Sequence, residues 1–174
     1  MALVVETGTG SATSESYISV TAADTYHSDR ANTAWAALTT ANKEAYLRRA
    51  AEYMTEAYRL RWAGARKTTT QALDWPRSFV PLLDSLSGYM TYPAYVADDV
   101  VPVEVQRACA ELALTASTAT LAPNLDRAVI SETVGPISVD YDQSAPLYTR
   151  YRAVDMLLQL YLIGSAVMLQ LKRA

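Results

Sequence analysis

Five cations surround two tryptophans in the middle of the chain. Guanidinium groups and indole rings can both stack on unpaired bases, and each stacked base contributes about 1 to 3 kcal/mol to binding. Alternatively, the same side chains contact an acidic partner or cover tryptophans at the edge of the fold. The residues predicted to form a single-stranded DNA site are Arg59, Arg61, Trp62, Arg66 and Lys67. Trp75 and Arg77, farther along the chain, complete this group of cations and tryptophans.

A second set of aromatic residues lies farther along an irregular segment. Tyr89, Tyr92 and Tyr95 recur every three residues, and tyrosine offers a large amphipathic contact area for few rotatable bonds. These side chains either meet a partner or cover the protein's own core. We group them with Trp75 and Arg77 as partner-binding candidates, together with the apolar C-terminal residues Leu157, Leu158, Tyr161, Leu162, Met168 and Leu169.

Catalytic and metal-binding patterns are weak in this sequence. The one histidine, His27, has no nucleophile elbow to support a Ser-His-Asp hydrolase, and its position predicts a solvated helical side chain. The Gly-Thr-Gly at 8–10 lacks the third glycine and the following helix of a dinucleotide fingerprint. Carboxylate pairs at 98–99 and at 140 and 142 could bind Mg²⁺, but such pairs are common in turns and strands. We expect no enzymatic activity, no cofactor and no metal.

Composition and charge limit the remaining classes of protein. The chain has 174 residues, of which 51% are hydrophobic and 19% charged, as in one globular domain. Its net charge of −3 disfavours autonomous binding to duplex DNA, which normally uses a basic excess. The single Cys109 excludes an intramolecular disulfide and predicts a small buried hydrophobe. The N-terminus shows no secretory signal pattern, and the uncharged run at 156–171 is too short to span a bilayer, so we expect no membrane contact.

Helical periodicity defines three amphipathic segments. The first has Thr21 as its predicted N-cap and ends near Arg30, the second begins at Thr39 or Thr40 and ends near Tyr58, and the third begins at Pro102. The predicted core faces are Leu47, Ala51, Met54 and Tyr58 in the second helix and Val101, Val105, Ala108 and Leu112 in the third.

The segments between these helices have other patterns. Residues 1–20 are rich in small and polar side chains and predict a flexible arm that only its contacts order. Residues 60–101 show no sustained period, which predicts a long irregular loop. Residues 128–142 alternate in polarity on either side of a Gly-Pro pair and predict one β-hairpin.

The C-terminal segment, residues 149–174, predicts an apolar helix that needs a partner. Its apolar residues fall on nearly every side of a helix, and a small domain cannot easily surround such an element. Gly164 can bend this helix, so that the last ten residues would leave the body and dock into another subunit or protein. The alternative is a short helix that ends near Gly164, followed by a folded-back end.

Together these elements predict a single, mainly α domain over residues 1–174. It comprises a small helical bundle, a long irregular loop, one β-hairpin and the C-terminal apolar helix.

Several segments resemble a known family of tailed-bacteriophage and prophage proteins from the structural gene cluster. They are Gln-Ala-Leu-Asp-Trp-Pro-Arg at 71–77, the helix at 101–114, the hairpin segment at 131–141 and the segment at 150–158. The Ser-Tyr-Ile-Ser-Val at 16–20 also matches, so the resemblance covers nearly all of the chain, up to about Leu162, and leaves out residues 163–174. Members of this family are often labelled DnaT-like single-stranded DNA-binding proteins.

The helical layout of that family is similar to that of siphophage head-tail connectors, also called adaptor or head-completion proteins. The resemblance implies a virion structural protein in the neck, assembled in the host cytoplasm, and it carries over no catalytic residues. It further implies a cyclic homo-oligomer, a dodecameric ring, that binds the portal protein and a tail-proximal neck or tail protein. Double-stranded DNA would pass transiently through this ring, which an acidic chain would not hold.

The family label taken literally gives the alternative function. The chain would then be a replication accessory protein that holds single-stranded DNA through Trp62, Trp75 and the arginines near them. The connector hypothesis predicts a stable cyclic oligomer, and deletion of residues 163–174 should weaken that assembly. The alternative predicts a salt-sensitive oligonucleotide affinity that falls with Trp75→Ala.

Overall fold

The computed structural model describes residues 2–84, 94–124, 131–134, 137–140 and 149–163. Within these ranges the protein is mainly helical, with two small antiparallel sheets of two strands each. None of the helices in the described part of the chain is both long and apolar enough to cross a lipid bilayer. The elements are α1 (Val20–Ser28), α2 (Thr33–Ala36), α3 (Thr40–Tyr58), β1 (Ala65–Arg66), β2 (Arg77–Ser78), α4 (Val103–Ala116), β3 (Ser131–Val134), β4 (Ile137–Asp140) and α5 (Arg152–Leu158).

The α3 helix forms where the sequence predicts its clearest helix. The hydroxyl of Thr39 accepts a hydrogen bond from the backbone N–H of Asn42 and so caps the first turn. All four residues of the predicted core face are buried, which confirms that face: Leu47, Ala51, Met54 and Tyr58.

The caps of α1 and α4 differ slightly from the predicted ones. The Ser19 hydroxyl accepts from the backbone N–H of Ala22, so α1 begins one residue before Thr21. Pro102 is the N-cap of α4 rather than its first helical residue. Cys109 is buried in α4 as predicted, and burial raises the pKa of its thiol to about 11.

The core lies on both sides of α4, which contacts α1, α3 and α5. Small side chains dominate its buried surface and let the neighbouring helices approach closely. The buried residues of α4 are Val105, Ala108, Cys109, Ala110, Leu112, Ala113 and Ala116.

Residues 2–19 lie against the helical body. The sequence predicts this segment as a flexible arm that becomes ordered only through what it contacts. Tyr17 and Ile18 are buried in the core, and Val5 and Ser16 form an isolated parallel bridge. The contacts that order this segment are therefore contacts within the chain itself.

The Gly-Thr-Gly turn wraps around the buried carboxylate of Glu6. Burial alone would raise the pKa of Glu6, but the hydrogen bonds it accepts outweigh that effect and lower the pKa below its ordinary value near 4.5. The Glu6 carboxylate thus accepts hydrogen bonds from the backbone N–H groups that would bind a phosphate in a phosphate-binding loop. The donors are the backbone N–H groups of Gly8, Thr9, Gly10 and Ser11 and the hydroxyls of Thr9 and Ser14.

The described part of the loop predicted at 60–101 is largely irregular, apart from β1 and β2. Ala65 lies opposite Ser78 in this sheet. The side chain of Gln71 forms hydrogen bonds with the backbone of the segment that joins the two strands. Its amide nitrogen donates to the carbonyls of Leu73 and Pro76, and its amide oxygen accepts from the backbone N–H of Thr68. Side chains of the loop itself therefore hold much of its backbone.

The predicted β-hairpin is confirmed. Strands β3 and β4 pair antiparallel, with Ser131 opposite Asp140 and Val134 opposite Ile137.

In its described part, the C-terminal segment fits the alternative of a short helix that ends near Gly164 better than an apolar helix over 149–174. After α5 a 3-10 turn covers Gln159–Tyr161, and Leu162 is extended and bridges antiparallel to Trp62. The backbone N–H of Ile163 donates to the carbonyl of Arg61 at 2.6 Å. These tertiary hydrogen bonds end the helix before Gly164; residues 164–174, the rest of the predicted helix, lie outside the described residues.

We expect Glu6→Gln to destabilise the fold by about 1 to 3 kcal/mol, because a neutral amide presents a donor where the turn offers only donors. Since the pKa of Glu6 is lower in the folded chain than in the unfolded chain, its contribution is complete above about pH 5 and is lost as the pH falls through the folded-state pKa. Urea unfolding between pH 3 and 7 measures both effects. Glu52→Gln, on the exposed side of α3, is the control; equal curves for the two variants would contradict this role of Glu6.

Candidate functional site

The two tryptophans of the predicted DNA site belong to the core. Trp62 is 2% exposed and Trp75 0%. Their rings pack edge to face with centroids 5.8 Å apart, and Trp75 packs in the same way against Tyr161 at 5.4 Å. Enclosed rings cannot stack on bases, so in this fold the two indoles support the structure and do not form a stacking surface.

Four of the five cations near these tryptophans hold the loop. Each makes a hydrogen bond to a backbone carbonyl or a carboxylate of the fold, which restricts what it can offer to a ligand. The contacts are Arg59 to the buried carboxylate of Asp74, Arg66 to the carbonyls of Thr69 and Gln71, Lys67 to that of Gly8, and the buried Arg77 to those of Ala63, Gly64 and Asp74.

The apolar residues predicted to bind a partner are mostly covered by the chain itself. Leu158, Tyr161 and Leu162 are buried and Leu157 is half-buried, because α5 packs against α4 and the turn after α5 folds back on residues 61–63. In the described part of the segment, therefore, burial of these residues needs no second subunit. Of the other candidates, Tyr95 is exposed, whereas Tyr89, Tyr92, Met168 and Leu169 lie outside the described residues.

His27 is buried rather than solvated, which corrects the prediction for its side chain. Its Nε2 lies 3.2 Å from the carbonyl oxygen of Ala110, and the amide nitrogen of Asn32 lies 3.0 Å from Nδ1. Burial lowers the pKa of His27. The packing of α1 against α4 explains the difference, since it encloses this side of α1.

Arg61 lies at a cleft between the end of α3 and the segment that leads into α5. The cavity has a volume of about 400 Å³. Tyrosines and arginines supply most of its polar lining, and one carboxylate lies among them. The polar and aromatic side chains that line it include Tyr53, Tyr58, Arg61, Arg150, Tyr151 and Asp155.

Two tyrosines form the aromatic part of this cleft. The rings of Tyr53 and Tyr151 meet edge to face with centroids 5.4 Å apart, and both side chains are half-buried. The hydroxyl of Tyr151 donates to the carbonyl of Leu121 at 2.8 Å, which fixes the orientation of the ring, and burial raises the pKa of that hydroxyl. The cleft thus offers rigid aromatic surface beside water.

Two arginines form its charged part. The side chain of Arg61 is 48% exposed, and its guanidinium carbon lies 5.0 Å from the centroid of the Tyr58 ring. Arg150 is exposed. Asp155 lies 3.7 Å from Arg61 and accepts a hydrogen bond from the Tyr58 hydroxyl at 2.9 Å; burial, followed by this contact, raises the pKa of Tyr58.

A second cavity, of about 290 Å³, shares Tyr53, Ala57 and Thr149 with the first. The two cavities are therefore neighbours, and we call them together the arginine–tyrosine groove. Its far end is mostly apolar and is lined by Leu121, Ala122 and Pro123, with Glu56 as the charged residue there.

Sequence reasoning missed Tyr53, Arg150 and Tyr151 as site residues. Tyr53 and Tyr151 are distant in sequence and meet only in the fold. The alternation of cation and aromatic in Arg-Tyr-Arg at 150–152 is the local signal that could have indicated the groove.

The described residues thus define a mainly helical protein with a groove of arginine and tyrosine side chains. A family model described as "Putative DnaT-like ssDNA binding protein" matches residues 1–174. The chain belongs to that family. No curated protein and no solved structure matches it.

This match overturns the connector prediction. The family description names single-stranded DNA, and nothing in it supports a virion neck protein, a dodecameric ring, or portal and tail proteins as partners. Passage of double-stranded DNA likewise loses its support. The physical argument for the ring fails as well in the described residues, because Leu158, Tyr161 and Leu162 are buried within the chain itself.

We expect Trp75→Ala to act on stability, with a loss of about 3 to 5 kcal/mol in the free energy of unfolding, because it empties a fully buried site. Chemical denaturation measures the loss, and Leu60→Ala, at a position 94% exposed, is the control. Any fall in DNA binding by Trp75→Ala should then follow its unfolded fraction. A stable Trp75→Ala protein that loses DNA binding would contradict the structural role.

Proposed function

We propose that this protein binds single-stranded DNA in the arginine–tyrosine groove, as a binding protein rather than an enzyme. The observation that carries the proposal is the meeting of two exposed arginines, Arg61 and Arg150, with two half-buried tyrosine rings, those of Tyr53 and Tyr151, along one groove. The family description supports the choice of ligand.

Each side chain has a definite part in this proposal. Arg61 and Arg150 contact phosphates, since guanidinium groups form charge-assisted hydrogen bonds with phosphate oxygens. The rings of Tyr53 and Tyr151 contact bases, which are unpaired and accessible only in a single strand. Every base has an aromatic face, so such binding tolerates different sequences.

The acidic net charge limits the strength of this interaction. A chain of net charge −3 repels a polyanion at long range, so the attraction depends on the few cations at the groove. We therefore expect weak binding whose sensitivity to salt reflects these few phosphate contacts.

Asp155 opposes the DNA phosphate at the groove. Its carboxylate lies 3.7 Å from Arg61, where it partly neutralises the guanidinium that the phosphate would contact. It also accepts the hydrogen bond of the buried Tyr58 hydroxyl. Asp155 thus fixes one wall of the groove at a cost in electrostatic attraction for DNA.

The test of the proposed function replaces both groove arginines. Arg61→Gln/Arg150→Gln should weaken binding of a fluorescent dT20 oligonucleotide at least tenfold in 50 mM salt. It should also reduce the slope of log affinity against log salt by about 1.4, because single-stranded DNA contributes about 0.7 per phosphate contact.

Arg107→Gln, an exposed arginine of α4 that does not line the groove, removes one charge and is the control. Fluorescence anisotropy gives the affinities of all three proteins. Equal affinities for the double variant and the unmodified protein, or no binding by the unmodified protein at low salt, would refute the proposal.

A second measurement concerns Asp155→Asn. The amide oxygen still accepts from the Tyr58 hydroxyl, while the negative charge beside Arg61 is removed, so dT20 affinity should rise about threefold to tenfold. Asp29→Asn, an exposed residue at the end of α1, gives the effect of net charge alone. An affinity for Asp155→Asn that does not exceed that of Asp29→Asn would show that Asp155 does not face the DNA.

A further inference from the structure

Phe79 is an exposed aromatic residue outside the groove. Its side chain is 73% exposed, and its backbone φ of +62° lies in the left-handed region, which bulky side chains rarely adopt. Such strain persists only where the surrounding structure imposes it. Burial of the ring does not explain the strain, since the ring is in solvent.

The neighbouring backbone holds Phe79 in this conformation. On one side Ser78 belongs to β2, and on the other Val80 is buried and its carbonyl accepts from the N–H of Val96. Gly64 packs against this turn, and a Cβ at Gly64 would lie 3.0 Å from the carbonyl carbon of Phe79. The fold therefore fixes the turn with the phenyl ring pointing outward.

A second ring extends this exposed surface. Tyr95 is 49% exposed, and its ring meets that of Phe79 at 90° with centroids 6.3 Å apart. The bridge between Pro81 and Tyr95 joins the two backbone segments that carry the rings. We call these two residues the Phe79–Tyr95 platform.

The backbone that carries Phe79 is linked to Arg61 of the arginine–tyrosine groove through Gly64. Gly64, which contacts the Phe79 backbone, is three residues after Arg61 and therefore at most about 11 Å from it.

We propose that the Phe79–Tyr95 platform is a second base-stacking position for the same strand of DNA that occupies the groove. This inference rests on the proposed function and extends the binding track beyond Arg61. The Asp98 carboxylate, which accepts from the Ser78 hydroxyl at 3.3 Å, repels phosphates here. The platform consequently takes the uncharged faces of bases, while the arginines take the backbone.

The strain at Phe79 gives this proposal a sharp test. Asparagine tolerates a positive φ better than phenylalanine does, so Phe79→Asn should melt at the same temperature as the unmodified protein or higher. Its affinity for dT20 should nevertheless fall about fivefold to fiftyfold. Phe79→Tyr, which keeps an aromatic ring, should retain the affinity for dT20.

Oligonucleotide length separates the platform from the groove. We expect the trinucleotide dT3 to be too short to occupy the groove and the platform together, so Phe79→Asn should bind dT3 as the unmodified protein does. Leu83→Asn, at an exposed apolar residue of the same loop, is the matched control and should leave both affinities unchanged.

Each possible result decides between the two sites. If Phe79→Asn binds dT20 with unchanged affinity, the platform does not contact DNA and this inference is refuted. If the arginine double variant binds normally while Phe79→Asn does not, the groove is wrong and the platform stands. If the unmodified protein binds neither oligonucleotide, both proposals are refuted.

Discussion

A buried aromatic cluster joins three separate parts of the chain. Trp62, beyond the end of α3, packs on Trp75 from the irregular loop, and Trp75 packs on Tyr161 beyond α5. Large rings bury much apolar area and make directional contacts. The two walls of the arginine–tyrosine groove, α3 and the segment leading into α5, both attach to this cluster. The shape of the groove therefore depends on residues that never contact a ligand.

Local periodicity was enough to predict the parts of the fold that local sequence determines. Helix α3 needs only a threonine cap and apolar residues at helical spacing, and the hairpin needs two alternating runs about a turn. The end of α5 was not predictable in this way, because it depends on backbone hydrogen bonds to residues 61–63. The burial of His27 depends equally on the distant carbonyl of Ala110.

The candidate site shows the same division between local and tertiary information. Composition indicated that arginines and aromatic rings occur together, but spacing could not show which of them face solvent. Trp62 and Trp75 are enclosed, while Arg61 from the same cluster reaches the groove. Tyr53 and Tyr151 meet there only because α3 and the segment before α5 are neighbours in the fold. The net charge argued against autonomous binding to duplex DNA, but a total charge does not show where cations gather on the surface.

The burial of all three tryptophans determines what their intrinsic fluorescence can report. Trp35, Trp62 and Trp75 are each at most 2% exposed, so their emission is that of indole shielded from water. Quenching on addition of an oligonucleotide would consequently signal a rearranged interior rather than a ring covered by a base. Occupancy of the groove is better followed by a dye on the DNA, with tryptophan emission kept as a monitor of the intact fold.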